Sequence, residues 1–159
     1  MRIVQFCSSF FVTNPVLWSG NWAWGLPLIV VTVVIHVLGL GLIRHKAARA
    51  SGSTMHRRHR NTMFMLIMGA TTLLATVLHA IEAGLWAVAY QLLDALPDYK
   101  SAMLYSLNAI TSYGHTALDL KEHWYLMGAL EALNGWLLFG LTTAFLFAVI
   151  DNAWSLESK

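Results

Sequence analysis

Charge is scarce in this chain of 159 residues: Asp, Glu, Lys and Arg together make up 11% of it, where a soluble domain carries about 25%. With 57% hydrophobic residues and a mean hydropathy of +0.58, that shortage excludes an ordinary water-soluble fold and indicates an integral membrane protein. Cysteine is nearly absent too. A single one, Cys7, excludes an internal disulfide and a cysteine-based metal centre. No helix repeats arginine at every third position, so a voltage sensor of the usual kind is missing. The polar sequence left over is too short for a second, soluble domain. MRIVQFCSSFFV does not read as a secretory signal, since Arg2 is its only charge and polar residues interrupt it.

What is present is apolar sequence in long runs. Trp18, Trp22 and Trp24 lie close together after an Asn14-Pro15 turn signal, a density that suits the headgroup layer of a bilayer. From Trp24 to Ile43 the only ionisable residue is His36. Twenty residues at ~1.5 Å each reach across the ~30 Å hydrocarbon core, which predicts a first transmembrane helix. Thr62 to Leu93 is a second apolar run, interrupted by His79 and Glu82 and longer than the bilayer needs. Trp124 to Ile150, with Glu131 and Asn134 inside it, is the third.

The segment between the first two runs, RHKAARASGSTMHRRHR at 44–60, holds six of the ten Lys and Arg residues. The positive-inside rule makes it cytoplasmic. Anionic lipid headgroups are its expected partners, and no nucleic acid. His45, His56 and His59 would add charge in mild acid. The N-terminus then lies outside, residues 94–123 outside and the C-terminus inside.

Residues 99–111 predict a helix too short to span and too apolar to lie free in water, with Asp98 as its N-cap. It runs into Thr111-Ser112-Tyr113-Gly114-His115-Thr116. The charged stretch Asp119-Leu120-Lys121-Glu122-His123 follows, then a long helix with Gly128, Gly135 and Gly140. Short helix, hydroxyl- and glycine-bearing strand, spanning helix: over residues 62–150 this order resembles the pore module of the potassium-channel superfamily. Glu131-Ala132-Leu133-Asn134-Gly135 and Leu138-Phe139-Gly140-Leu141-Thr142-Thr143-Ala144 look like the inner helix of small bacterial ion-channel-2 or two-pore-domain-type proteins.

The resemblance implies an all-α membrane protein with three transmembrane helices, a re-entrant pore helix and a filter loop. Four subunits would close a cyclic homotetramer in the bacterial inner membrane, because one loop cannot enclose an axis. It implies passive permeation of a monovalent cation such as K+, with no enzymatic step, cofactor or bound metal. Residues 1–61 would carry the outer segment, first helix and basic loop, 62–150 the pore module and 151–159 a cytoplasmic tail. The ion-conducting filter would be Thr111, Ser112, Tyr113, Gly114, His115 and Thr116, supported by Glu82, Glu131 and Asn134. Gly135 and Gly140 would be gating hinges, and Leu138 and Thr142 would line the cavity.

The filter departs from the family's T-V/L-G-Y-G-D. Gly114 matches the first glycine, His115 stands at the tyrosine, Thr116 replaces the second glycine and Ala117 the aspartate. A β-branched threonine reaches left-handed backbone angles only at a cost, so altered selectivity is expected. Asp94, Asp98, Asp119 and Glu122 against Lys100 and Lys121 leave an acidic outer mouth that would concentrate cations.

Two other functions stay open at this point. His36 and His79, at matched depth on neighbouring antiparallel helices, have what a bis-histidine haem in a small redox subunit needs. A non-conducting scaffold or partner subunit is the other. The buried His36, His79, Glu82 and Glu131 are equally consistent with polar groups that only hold the helices together.

Overall fold

The computed structural model of the chain describes residues 15–51, 60–114 and 118–155, helices joined by turns and irregular segments, with no strand among them. Helix α1 is Pro15–Ser51, α2 is Arg60–Leu92, α3 is Tyr99–Ile110 and α4 is Tyr125–Ser155, the last preceded by a 3-10 turn at Glu122–Trp124. Three of these contain stretches long and apolar enough to cross a membrane: Trp18–Arg49, Thr62–Leu92 and Glu122–Asp151. The expected spans are all found, the first and third longer than their apolar runs. Helix α1 begins at Pro15, where the missing N–H costs nothing because a first-turn donor has no partner in the helix. It takes in the tryptophans and Pro27, and continues into the basic segment through Arg44, Lys46 and Arg49.

Helices α1 and α4 run parallel, with α2 antiparallel to both. The pairs that fix this register are polar. At one end Asn21 donates through Nδ2 to the His123 carbonyl (2.6 Å) and accepts at Oδ1 from the Met127 N–H (3.1 Å). Further along, Asn134 Nδ2 donates to Thr32 Oγ1 (2.9 Å). Deeper still, His36 meets Glu82 of α2 and Thr142 of α4. In lipid such bonds count for more than apolar attraction, because the tails outside are as apolar as the leucines inside; each contributes roughly 0.6–2 kcal/mol. Helix α1 is thereby packed into the same body as α2 and α4.

The short helix α3 packs on both α2 and α4. Its Ala102, Tyr105, Ser106, Ala109 and Ile110 are buried; Ala102, Tyr105 and Ala109 join one apolar cluster with Trp86, Tyr90, Leu120, Met127 and Leu130, and Ile110 another with Ala83 and Leu138. Tyr90 and Tyr105 meet edge to face, ring centroids 5.4 Å apart. Asp98 is the N-cap as expected: its backbone is extended (φ −150°, ψ 160°) and its carboxylate accepts from the Ser101 N–H at 2.9 Å. That bond, together with the one from the Ser101 hydroxyl, holds the exposed Asp98 carboxyl below the usual carboxylate range. Asp94, beside Lys121, is lowered likewise by its bond to that ammonium.

Helices α2 and α3 end the same way. Asp94 (φ 51°) and Ser112 (φ 54°) are left-handed residues just past the helix end. Ala95 N–H bonds back to the Tyr90 carbonyl, and Tyr113 N–H to the Asn108 carbonyl. This is the Schellman closure, made here without glycine. The close approach of α3 to α4 does need glycine. A methyl on Gly135 would stand 2.8 Å from the Ile110 carbonyl carbon and closer still to its oxygen.

Gly135→Ala is therefore expected to destabilise the fold by about 1–3 kcal/mol. Gly140→Ala, where a methyl meets nothing within 4 Å, should change it by less than about 1 kcal/mol; denaturant unfolding in detergent measures both. The cap has a pH signature. Because the folded-state value of Asp98 is lowered, its contribution is present above the ordinary carboxylate range and is lost as pH falls through the folded value. Amide exchange in the first turn of α3 should accelerate in acid, and Asp98→Asn, which still caps, should remove that acceleration.

Candidate functional site

Two buried polar clusters lie between the helices, one on each side of Ala83. The first is centred on Glu131. Its Oε2 accepts from the Tyr90 hydroxyl at 2.7 Å, and its Oε1 is hydrogen-bonded to Ser106 Oγ. Ser106 Oγ also lies 2.7 Å from the Ala83 carbonyl. A hydroxyl has one hydrogen and a carbonyl has none. Both Ser106 bonds can form only if Ser106 donates to Ala83 and Glu131 donates to Ser106. The hydrogen count thus makes Glu131 a neutral carboxylic acid, passing hydrogens along Tyr90, Glu131, Ser106 and the Ala83 carbonyl. A charge at the centre of a bilayer costs about 2.5–3.5 kcal/mol even on the mildest scale; this arrangement carries none. It joins α2, α3 and α4 at one point.

The second cluster joins α1, α2 and α4. His36 Nδ1 is 2.8 Å from Glu82 Oε1 and His36 Nε2 is 2.9 Å from Thr142 Oγ1. His79 Nε2 is 3.1 Å from the same Thr142 oxygen, and His79 Nδ1 is 3.5 Å from Glu82 Oε2. The imidazole centroids are 4.9 Å apart, tilted by 46°. His36 and Glu82 are fully buried and His79 is 27% exposed. Glu82 Oε2 has no hydrogen-bond partner. A haem between His36 and His79 needs a macrocycle plane between two opposed rings. Here both Nε2 atoms face one shared hydroxyl instead.

The expected filter residues Thr111, Ser112, Tyr113 and Gly114 form an exposed turn after α3, and His115 and Thr116 lie outside the described residues. Tyr113 is 82% exposed, and Gly114 has φ +94°, a conformation that favours glycine. The carbonyls of Leu107, Asn108 and Ala109 accept from the N–H groups of Thr111, Tyr113 and Ser112 respectively. The C-terminus of α3 is therefore closed by its own turn.

Of the three expected supports, Glu131 does hold α3, through Ser106. Glu82 turns to the two histidines instead, and Asn134 bonds to Thr32 of α1. Gly135 lies against Ile110, so close packing accounts for it, whereas Gly140 is open. Leu138 is fully buried against Ala83 and Ile110, and Thr142 bonds to the histidines. Both side chains are engaged by neighbours within the chain, Leu138 in the apolar core and Thr142 by the two imidazoles. Gly140 and Thr143 are on the exposed face of α4. The role of Ser106 and Tyr90 had no signal in their local sequence; it comes from the helix packing that brings both to Glu131.

No family model, curated protein or solved structure matches this chain.

The neutral state of Glu131 has a direct test. Glu131→Gln keeps a donor for Ser106 and an acceptor for Tyr90, and should cost no more than about 1 kcal/mol. Glu131→Ala leaves both partners unpaired beside a cavity and should cost about 2–5 kcal/mol. Unfolding in detergent compares them, and a glutamine as damaging as alanine would contradict the hydrogen count.

Proposed function

We propose that this chain is the subunit of a cation-conducting membrane pore with potassium-channel-like architecture, four copies surrounding the segment Thr111–Thr116. The observation that carries this reading is α3. A helix of 12 residues spans only about 18 Å, yet its buried face is packed into the interior of a membrane-spanning bundle. Backbone that stops within a bilayer is tolerated only where protein or a water-filled cavity meets its end. The end of α3 delivers an exposed turn with a glycine-demanding backbone at Gly114, as a pore helix delivers its filter.

The supporting frame fits that role. Glu131 and Gly135 hold α3 against α4 from inside the subunit, leaving the turn free to face an axis. On α4, Gly140, Thr143 and Phe147 lie on open surface, and these take the cavity-lining role in place of Leu138 and Thr142. In the assembly the basic end of α1 lies on the cytoplasmic side of the bacterial inner membrane and the α3 end outside. There the exposed Asp119 and Glu122, with Asp94 and Asp98, give the mouth an acidic surface that concentrates cations. Permeating ions exchange hydration water for carbonyl and hydroxyl oxygens of the turn. His115 and Thr116, standing where the family has tyrosine and a second glycine, shift the selectivity away from strict K+ preference.

Reconstituted protein should pass monovalent cations down a gradient, K+, Na+ and Cs+ each tested alone, and Gly114→Asp should abolish the flux while leaving assembly intact. Absence of flux from folded tetramers across pH and lipid composition would overturn the reading, as would flux indifferent to Gly114→Asp.

A further inference from the structure

The cluster of His36, His79, Glu82 and Thr142 is not used by permeation, and in its least protonated form it is one hydrogen short. With both imidazoles neutral and Glu82 ionised, the three short links fix the proton positions. His36 Nδ1–H donates to Glu82 Oε1, so His36 Nε2 is bare and must receive the Thr142 O–H. Thr142 Oγ1 then accepts from His79 Nε2–H, which leaves His79 Nδ1 bare as well. Two lone pairs, on His79 Nδ1 and Glu82 Oε2, face each other across 3.5 Å, and Glu82 Oε2 is buried without a hydrogen-bond partner. Two bases facing each other in a low-dielectric interior repel, and one oxygen of the buried carboxylate is left without a donor. Either a proton or a metal cation closes that gap.

We propose that His36, His79 and Glu82 form a binding site for one divalent transition-metal ion of the zinc class, with Thr142 orienting both imidazoles from behind. One ligand atom from each of the three residues falls within 4.8 Å of the others. The Nδ1 atoms of both rings face the same carboxylate, and both Nε2 atoms face one hydroxyl oxygen. With an ion on the Nδ1 side, both rings take the Nε2–H form and the two lone pairs of Thr142 Oγ1 accept from both. That is the outer-shell arrangement that fixes tautomer and orientation of metal-bound histidine. Two imidazoles and one carboxylate suit zinc and its neighbours, whereas Ca2+ and Mg2+ require oxygen ligands. The ion would fasten α1 to α2 and α4.

The assay uses the full-length protein, purified with a tag that contains no histidine, stripped with chelator and dialysed against Zn2+ or Co2+. One ion per chain should be retained, and Co2+ should give the visible absorption of a low-coordinate site. His79→Gln and Glu82→Gln should each weaken binding by more than tenfold. Thr142→Ala, which keeps all three ligands, should weaken it by about tenfold or more. If the ligand variants do not fold, Thr142→Ala decides: unchanged affinity overturns the site. So does a wild-type protein that retains no ion, which would mean that a proton alone fills the gap. Binding that persists in His79→Gln/Glu82→Gln assigns the ion to His45, His56 and His59 and overturns it equally. None of these measurements depends on ion flux, so the pore reading and the metal site stand or fall separately.

Discussion

The architecture depends on one carboxyl group kept free of charge. Glu131 sits in the middle of an apolar span, where an ion would be costly, and it receives a hydrogen from Tyr90 and gives one to Ser106. Those two bonds, with the one Ser106 makes to the Ala83 carbonyl, draw three helices to a single point. The placement of α3 follows from it. With Ser106 pinned, Ile110 is brought onto Gly135 and Tyr105 onto the face of Tyr90, and the turn from Thr111 to Gly114 emerges on the open side. Nonpolar packing could not do this alone, since in lipid the leucine and alanine surfaces gain little by meeting each other rather than acyl chains.

Much of this frame was legible in the sequence. The three spans stood out because apolar runs of that length have no other home. The short helix and its cap stood out because Asp98 precedes an apolar stretch bounded on the other side by turn residues. The helix ends were less readable: tryptophan, proline and basic residues at 15–24 and 44–51 resemble loop composition, yet continue α1 beyond the apolar core. Which way the polar residues face was not readable at all. Glu82 and Glu131 share a depth and a chemistry, and only the packing of α1 shows that one meets histidines while the other meets a serine of α3. Leu138 and Thr142, expected to line a cavity, lie on α4 and are held by neighbours within the chain. A helical turn has neighbours on every side, and the periodicity of an almost uniformly apolar segment carries no phase from which to choose among them.

The filter-like turn shows the opposite balance. Its identity as a turn follows from Ser112 and Gly114, and the left-handed backbone at both agrees with that. The chemistry proposed for it rests on side chains, which the backbone does not specify. A serine in the left-handed position at the end of α3 carries a conformational cost that glycine would not, and costs of this kind persist where surrounding structure holds them in place. Here the capping bonds to Asn108 and Ala109 do so.

Helix α1 reaches its neighbours through Asn21, Thr32 and His36, each of which supplies a partner that the other helices lack. Without it, Asn134 loses its bond to Thr32, the Met127 N–H loses its acceptor, and Glu82 and Thr142 lose His36. Residues 62–155 by themselves would thus hold a row of stranded polar groups along a surface turned to lipid. The smallest heritable unit of this architecture is therefore three spans and not two. A gene fragment encoding only residues 62–155 would yield a chain that seeks the missing helix from another molecule, and a separately expressed α1 would be the natural complement to it.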